Sequence, residues 1–178
     1  MTIMQTTMGC DCFWCFEASF QRLDGIIDIK PGFSGGMLEN PSYDQVCTGK
    51  TGHAEVLRIT YDDSIISFPC LLNVFFSIHN PTTLNRQGAD IGSQYRSVIY
   101  YETTEQQSAS KEFIADLNLS KKWVEPVVTE LSPFTMFYPA DQYHHNYFNK
   151  HPEQGYCQTV IQPKLVKLKQ EHPSLLKP

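Results

Sequence analysis

Ala54-Glu55-Val56-Leu57-Arg58-Ile59-Thr60-Tyr61 alternates cleanly, placing Glu55, Leu57, Ile59 and Tyr61 on one face of an extended chain. A strand with that face in a core must hold one carboxylate among apolar neighbours. Ser64 to His79 then reads as a helix with Pro69 near its start, and Asn80 to Gln94 as a polar, Gly-containing loop. A strand follows through Ser97 to Tyr101. Thr103 and Gln106 have capping-box spacing and open a helix whose Phe113, Ile114 and Leu117 share a face. Val124 to Leu131 reads as a strand with Pro126 near its edge, and Ala140 to His151 as a short helix. The tail from Pro163 carries Lys164, Lys167, Lys169 and Lys177 in no clear pattern. Upstream, Phe16, Phe20 and Leu23 recur at helical spacing, with Gly25 at the C-terminal cap. Ile26 to Ile29 reads as a short strand and Pro31 to Gly52 as a long loop. No Gly-rich turn follows a strand at dinucleotide-binding spacing. The pattern predicts an α+β fold: a two-layer α/β sandwich with a mixed sheet and a ferredoxin-like core with long loops.

At 178 residues, 41% of them hydrophobic and 19% charged, the chain can bury one sizeable core, and disordered and collagen-like classes are excluded. The expectation is a single catalytic domain over residues 1–178, with a C-terminal tail from roughly 163. A net charge of −5 argues against nucleic acid as a partner. The longest oily stretch, Phe68 to Ile78, is broken by Pro69, Asn73 and Ser77, and falls short of the roughly 20 residues a membrane span needs. Met1 to Cys10 hold no Lys or Arg and no continuous apolar run, so no secretory signal is expected. These features predict a soluble, cytoplasmic protein that does not engage membranes.

The 6 cysteines are distributed unevenly: Cys10, Cys12 and Cys15 crowd together, while Cys47, Cys70 and Cys157 stand apart. In a reducing compartment such a cluster means metal binding or thiol chemistry rather than a disulfide scaffold. Cys12-Phe13-Trp14-Cys15 opens the Phe16 helix, where the positive end of the dipole favours a thiolate beside an aromatic wall. Three other readings stand beside thiol catalysis. Zinc could take Cys10, Cys12 and Cys15, although no second Cys-x-x-Cys or His-x-x-x-His pair is present. A thioredoxin-type redox pair would place aromatics at both middle positions, which is unusual. The thiols could also be small buried hydrophobes, the reading given to Cys47 and Cys70.

Cys12-Phe13-Trp14-Cys15-Phe16-Glu17-Ala18 resembles the signature of the A-type peptide methionine sulfoxide reductases. The resemblance continues through Asn40-Pro41-Ser42-Tyr43, Val46-Cys47-Thr48-Gly49 and Gly52-His53-Ala54-Glu55-Val56. It extends through Asn80 to Asp90, Gly92-Ser93-Gln94-Tyr95-Arg96-Ser97, Tyr143-His144 and Gly155-Tyr156-Cys157, nearly the whole chain. It implies reduction of the S epimer of methionine sulfoxide, free or in proteins, with no bound metal, flavin or nicotinamide. Carried over by position, Cys12 is the nucleophile, and Phe13 and Trp14 wall the substrate methyl. Glu55, Tyr43 and Tyr95 surround the sulfoxide oxygen, Asp90 and His144 belong to the substrate site, and Cys157 is the resolving thiol. The implied reductant is thioredoxin, or dithiothreitol in vitro, and the implied assembly is a monomer. A neutral Glu55 suits this chemistry, because a sulfoxide becomes electrophilic at sulfur once its oxygen receives a proton.

The chain departs from the family pattern next to the nucleophile. Asp11 stands where glycine is usual, and its carboxylate would raise the thiol pKa against the helix dipole. Polar Gln5, Thr6 and Thr7 replace an apolar strand, Asn80 stands where Asp is common, and His145 where Gln is. Cys15, one turn from Cys12, is a strained alternative disulfide partner, and Cys10 a further candidate. Cys157 follows Gly155 in a stretch expected to be loop-like and mobile.

Overall fold

β3 (Ala54–Asp62) lies inside a six-stranded sheet, between β1 (Ile3–Gly9) and β2 (Ile26–Ser34), in a computed structural model that describes residues 1–178. Both neighbours are antiparallel to it, with Met8 opposite Leu57 and Phe33 opposite Glu55. Beyond β1 come β6 (Val98–Tyr101) and β7 (Glu130–Pro133), the latter parallel to β6, and β8 (Tyr138–Pro139) borders β2. One parallel pair among antiparallel ones makes the sheet mixed, as the alternating elements predict.

The predicted inward face of β3 is correct: Glu55, Leu57, Ile59 and Tyr61 are all buried. Leu57, Ile59 and Tyr61 join a 22-residue core with Phe16 and Phe20 of α1 (Phe13–Phe20) and Leu72 and Phe75 of α3 (Phe68–Ser77). Phe113, Ile114 and Leu117 of α4 (Thr104–Ser120) pack on its border. On the other face, Ala54, Val56, Val98 and Tyr100 form a small cluster under Phe134 and Phe137. The helices therefore form one layer against the sheet, and an irregular segment covers the back.

Several boundaries move, each for a local reason. The polar Gln5-Thr6-Thr7 stretch is a strand after all. Threonine is β-branched and suits extended backbone, and Thr7 Oγ1 accepts a hydrogen bond from Arg58 Nη1 at 3.3 Å. β2 runs five residues past Ile29 because it stays paired with β3 up to Ser34 opposite Ala54, and on its other edge the Pro31 carbonyl accepts the Ala140 N–H at 2.9 Å, where proline's missing donor is not needed. The remaining loop contains α2 (Tyr43–Cys47), closed by a capping box: Ser42 Oγ accepts from Gln45 N at 3.1 Å, and Gln45 Oε1 accepts from Ser42 N at 2.9 Å. α3 begins at Phe68, capped by Ser67, with Pro69 in its first turn, where a missing N–H is harmless. The Asn80–Gln94 loop folds into a small hairpin of β4 (Arg86–Gln87) and β5 (Asp90–Ile91).

The strand expected over Val124 to Leu131 shrinks to β7, because Pro126 interrupts it and Val124 is fully exposed. The Ala140–His151 helix is two pieces: a 3-10 turn at Gln142–His144 and α5 (Tyr147–Lys150). Asn146 separates them at φ 57°, a left-handed conformation that asparagine tolerates. α1 stops at Phe20, and Gly25 instead serves the turn into β2 at φ 95°. The lysine-bearing tail is α6 (Gln162–Glu171), entered through a π-helical turn at Cys157–Ile161. No helix is long and apolar enough to cross a membrane.

Candidate active site

The end of β1 turns sharply into α1, and this turn presents Cys12. Its Gly9 has a packing reason: a Cβ there would sit 2.5 Å from the Glu55 carbonyl oxygen. Without one, β1 and β3 approach closely enough to set Glu55 under the start of α1. Cys12 is the N-cap residue; its carbonyl accepts the Cys15 N–H at 3.0 Å, and its own N–H donates to Asp11 Oδ1 at 2.6 Å.

Glu55, 1% exposed, serves as the missing cap, its Oε1 accepting the Phe13 N–H at 3.1 Å. Its Oε2 is buried with no partner. Burial pushes the Glu55 carboxyl up to about 8; the Phe13 N–H opposes this, and Asp11 and Asp90 add to it. A protonated acid at neutral pH with one unoccupied oxygen is equipped to donate a proton.

Cys12 itself is not a resting thiolate. Burial drives its pKa well above the usual thiol value, Glu55 and Cys15 add to this, and the Trp14 N–H pulls it back. The expectation of a dipole-stabilised thiolate is therefore corrected: desolvation outweighs one helix terminus. Thiol and acid are both neutral at rest, which suits a reaction in which attack and proton transfer proceed together.

Aromatic rings line the site. Phe13 lies 5.7 Å from Phe33 and 6.1 Å from Tyr43, ring to ring. Trp14 stacks on Tyr147 at 3.8 Å, and its Nε1–H donates to His144 Nδ1 at 3.2 Å. Burial lowers the His144 pKa, so the ring is neutral and can accept that bond. The Tyr43 ring lies 4.4 Å from His144. Burial, then the proximity of Glu55 and Cys12, raises the pKa of both Tyr43 and Tyr95, so each phenol keeps its proton and can donate it in a hydrogen bond.

Asp90 is anchored nearby, its Oδ2 accepting from Tyr156 Oη at 2.8 Å; the same hydroxyl lies 3.3 Å from Cys15 Sγ. Cys157 is placed differently from its expectation. It is 0% exposed in the helical turn before α6, packed with Cys12, Cys15, Ala18, Tyr147, Phe148 and Ile161, rather than in a mobile loop. The pattern after Pro152 misleads because Gly155 is itself helical, at the very start of the segment that runs through Cys157 into α6, where a glycine does not break it. Cys47 is exposed at the end of α2, not buried, and Cys70 is partly buried on α3. No group of three or more His, Cys, Asp or Glu side chains converges with metal-holding geometry.

The structure thus gathers Cys12, Phe13, Trp14, Tyr43, Glu55, Tyr95, His144 and Cys157 around one turn, with Asp90 at its border. Two residues were not singled out from sequence. Tyr147, under Trp14, has no local signal, because its partner is more than a hundred residues away. Tyr156 sits inside the Gly155-Tyr156-Cys157 motif, which does carry a signal.

The family described as peptide methionine sulfoxide reductase matches residues 4–175. The chain is 49% identical to peptide methionine sulfoxide reductase MsrA of Polynucleobacter asymbioticus, over 99% of this chain and 93% of that one. It is 50% identical to MsrA of Saccharolobus solfataricus, over 96% of each. Among solved structures, reduced Mxr1 from Saccharomyces cerevisiae superposes with a TM-score of 0.81 at 34% identity, covering 87% of this chain and 89% of that one.

Proposed function

The chain belongs to the peptide methionine sulfoxide reductase family, a thiol-dependent oxidoreductase acting on the S epimer, and from that premise we propose how its own residues divide the reaction. Cys12 Sγ attacks the sulfoxide sulfur while Glu55 gives its proton to the sulfoxide oxygen. The hydroxyl then passes from the substrate sulfur to the Cys12 sulfur: the substrate S–O bond and the transient S–S bond break, an S–O bond to Cys12 forms, and methionine leaves a sulfenic acid behind. The substrate sulfur is reduced by two electrons, the cysteine sulfur is oxidised by two, and the Cys12 thiol proton restores Glu55. The observation that carries this assignment is the buried Glu55 carboxyl, bound through Oε1 to the first N–H of the nucleophile's helix with Oε2 left free. Phe13 and Trp14 supply apolar walls for the substrate methyl, and Tyr43 and Tyr95 donate hydrogen bonds to the oxygen. Asp90 and His144 hold this frame.

Dimedone trapping tests the first step: after one equivalent of the S epimer, the label is expected on Cys12 alone. Label on Cys10 instead overturns the assignment. Tyr43→Phe and Tyr95→Phe are each expected to slow methionine release less than Glu55→Gln, because either phenol partly covers for the other. A loss from either one that equals the Glu55→Gln loss would transfer the proton-donor role to that phenol.

Recycling requires a second thiol and an external dithiol. Cys157 shares a buried cluster with Cys12 and is proposed to displace water from the sulfenic acid, forming a disulfide. The disulfide needs the two Cα atoms within roughly 7 Å, so any movement it requires falls on the helical turn that carries Cys157. Thioredoxin, or dithiothreitol in vitro, then takes the disulfide's oxidation onto its own thiols. The domain is proposed to act as one catalytic unit and as a monomer on free and peptide-bound substrate. Cys157→Ser is expected to keep the first turnover and lose thioredoxin-driven cycling. Normal cycling with a Cys12–Cys15 link in the peptide map would assign resolution to Cys15.

A further inference from the structure

The carboxylate that interrupts the family pattern does not stand alone. Asp11, 3% exposed, accepts the Cys12 N–H on Oδ1 at 2.6 Å and the Lys164 ammonium on Oδ2 at 2.5 Å. Lys164 arrives from α6, 153 residues away in sequence, with its side chain 26% exposed. It lies on the inward side of that helix, between buried Ile161 and Leu168. An unpaired buried carboxylate one residue from the nucleophile would oppose every step that places negative charge on sulfur. An ammonium on the far oxygen of that carboxylate cancels its field at short range.

We propose that Asp11 and Lys164 are positioning residues for Cys12: the carboxylate clamps the nucleophile's N–H, and the α6 ammonium neutralises that carboxylate, so Cys12 ionises beside a neutral pair. The pair also fastens α6, and with it the turn bearing Cys157, to the nucleophile. Burial pushes Asp11 upward and Lys164 opposes it; burial pulls Lys164 down, but Asp11 raises it overall, so both are charged at neutral pH. The other titratable groups facing the pair are Cys10 and Cys15 beside it in sequence, Tyr156 ahead of the Cys157 turn, Asp90 of β5, Glu55 of β3 and His79 after α3.

The electrostatic role predicts opposite signs for the two partners. In the full-length protein, the rate of iodoacetamide alkylation at Cys12, resolved by peptide mass spectrometry, is followed from pH 7 to 10. Lys164→Met leaves a lone carboxylate and is expected to raise the apparent Cys12 pKa by on the order of one unit, about tenfold slower alkylation at pH 9. Asp11→Asn keeps an acceptor for the Cys12 N–H but leaves a lone ammonium, and is expected to shift the profile down by a similar amount. The double variant and Lys164→Arg are expected to return near the parent. Both single variants shifting in the same direction, or an unmoved profile with only a lower Tm, would overturn the proposal. If Lys164→Met does not fold, Asp11→Asn decides it: no downward shift overturns it. The inference rests on Cys12 as the attacking thiol, which Cys12→Ser tests separately. Persistent methionine release from Cys12→Ser refutes that assignment, whereas a dead Cys12→Ser with unshifted Lys164→Met and Asp11→Asn profiles refutes only the role of the pair.

Discussion

Cys12→Ser is expected to release no methionine from the S sulfoxide, even in a single turnover with excess enzyme. In the proposed mechanism the first bond made is from the Cys12 sulfur to the substrate sulfur, and a serine oxygen is too weak a nucleophile and cannot hold the oxidation as a sulfenic acid. Cys10 is 1% exposed and packs into the main 22-residue core, away from the cluster that contains Cys12. Cys47 is exposed on α2, and Cys157 is wholly buried. Cys10→Ser, Cys15→Ser, Cys47→Ser and Cys157→Ser should therefore each retain single-turnover release, read by chromatography of the quenched reaction. If Cys10→Ser is dead and Cys12→Ser active, the nucleophile lies two residues earlier than the turn geometry places it.

Glu55→Gln is expected to slow the chemical step by a factor on the order of 10²–10⁴, the usual range for a positioned general acid. Glutamine preserves the shape and still offers a carbonyl oxygen to the Phe13 N–H, so the start of α1 should survive. What is lost is the proton. The pH dependence follows from the Glu55 carboxyl at about 8: its contribution to single-turnover rate should fall as pH rises through that value, and this limb should vanish in Glu55→Gln. Stability has a matching sign. A carboxyl whose folded pKa lies above its unfolded value stabilises the fold below the unfolded pKa, and that contribution is lost as pH rises towards 8. Glu55→Gln should thus unfold at a higher urea concentration than the parent at pH 8, while being far slower. Rates within about twofold of the parent from pH 5 to 8 would remove Glu55 from the mechanism.

That such a trade is built into the site follows from its burial. A carboxyl held neutral among apolar residues opposes folding at alkaline pH, and its retention next to the attacking thiol is the pattern expected of a functional group rather than a structural one. Tyr43 and Tyr95 fit the same logic, since burial keeps both phenols protonated where donors are needed.

How much of this was legible depended on the range of the interactions. The alternation of Ala54 to Tyr61 determined a strand and placed Glu55 on its inner face, because side-chain direction in a strand has a period of two. The Thr103 cap and the helix it opens were equally local, and the ordered motifs from Cys12 to Cys157 pointed to the family chemistry. Gln5-Thr6-Thr7 was not legible as a strand, since its extended form is enforced by pairing with β3 and β6 rather than by apolar alternation. The ionisation of Cys12 was misjudged from sequence for the same reason. A helix terminus is visible in the local pattern, whereas desolvation depends on what β3 and α6 bring over the sulfur. Asp11 beside the nucleophile reads as an electrostatic fault until α6 folds back and sets Lys164 against it. The sequence by itself determined the inner face of β3, the α4 start and the family to which the chain belongs, because these rest on neighbours a few residues apart. Only the tertiary structure decided which of those groups are neutral, which are paired and how deeply Cys157 is buried, because charge and burial depend on distance in space across segments far apart in the chain.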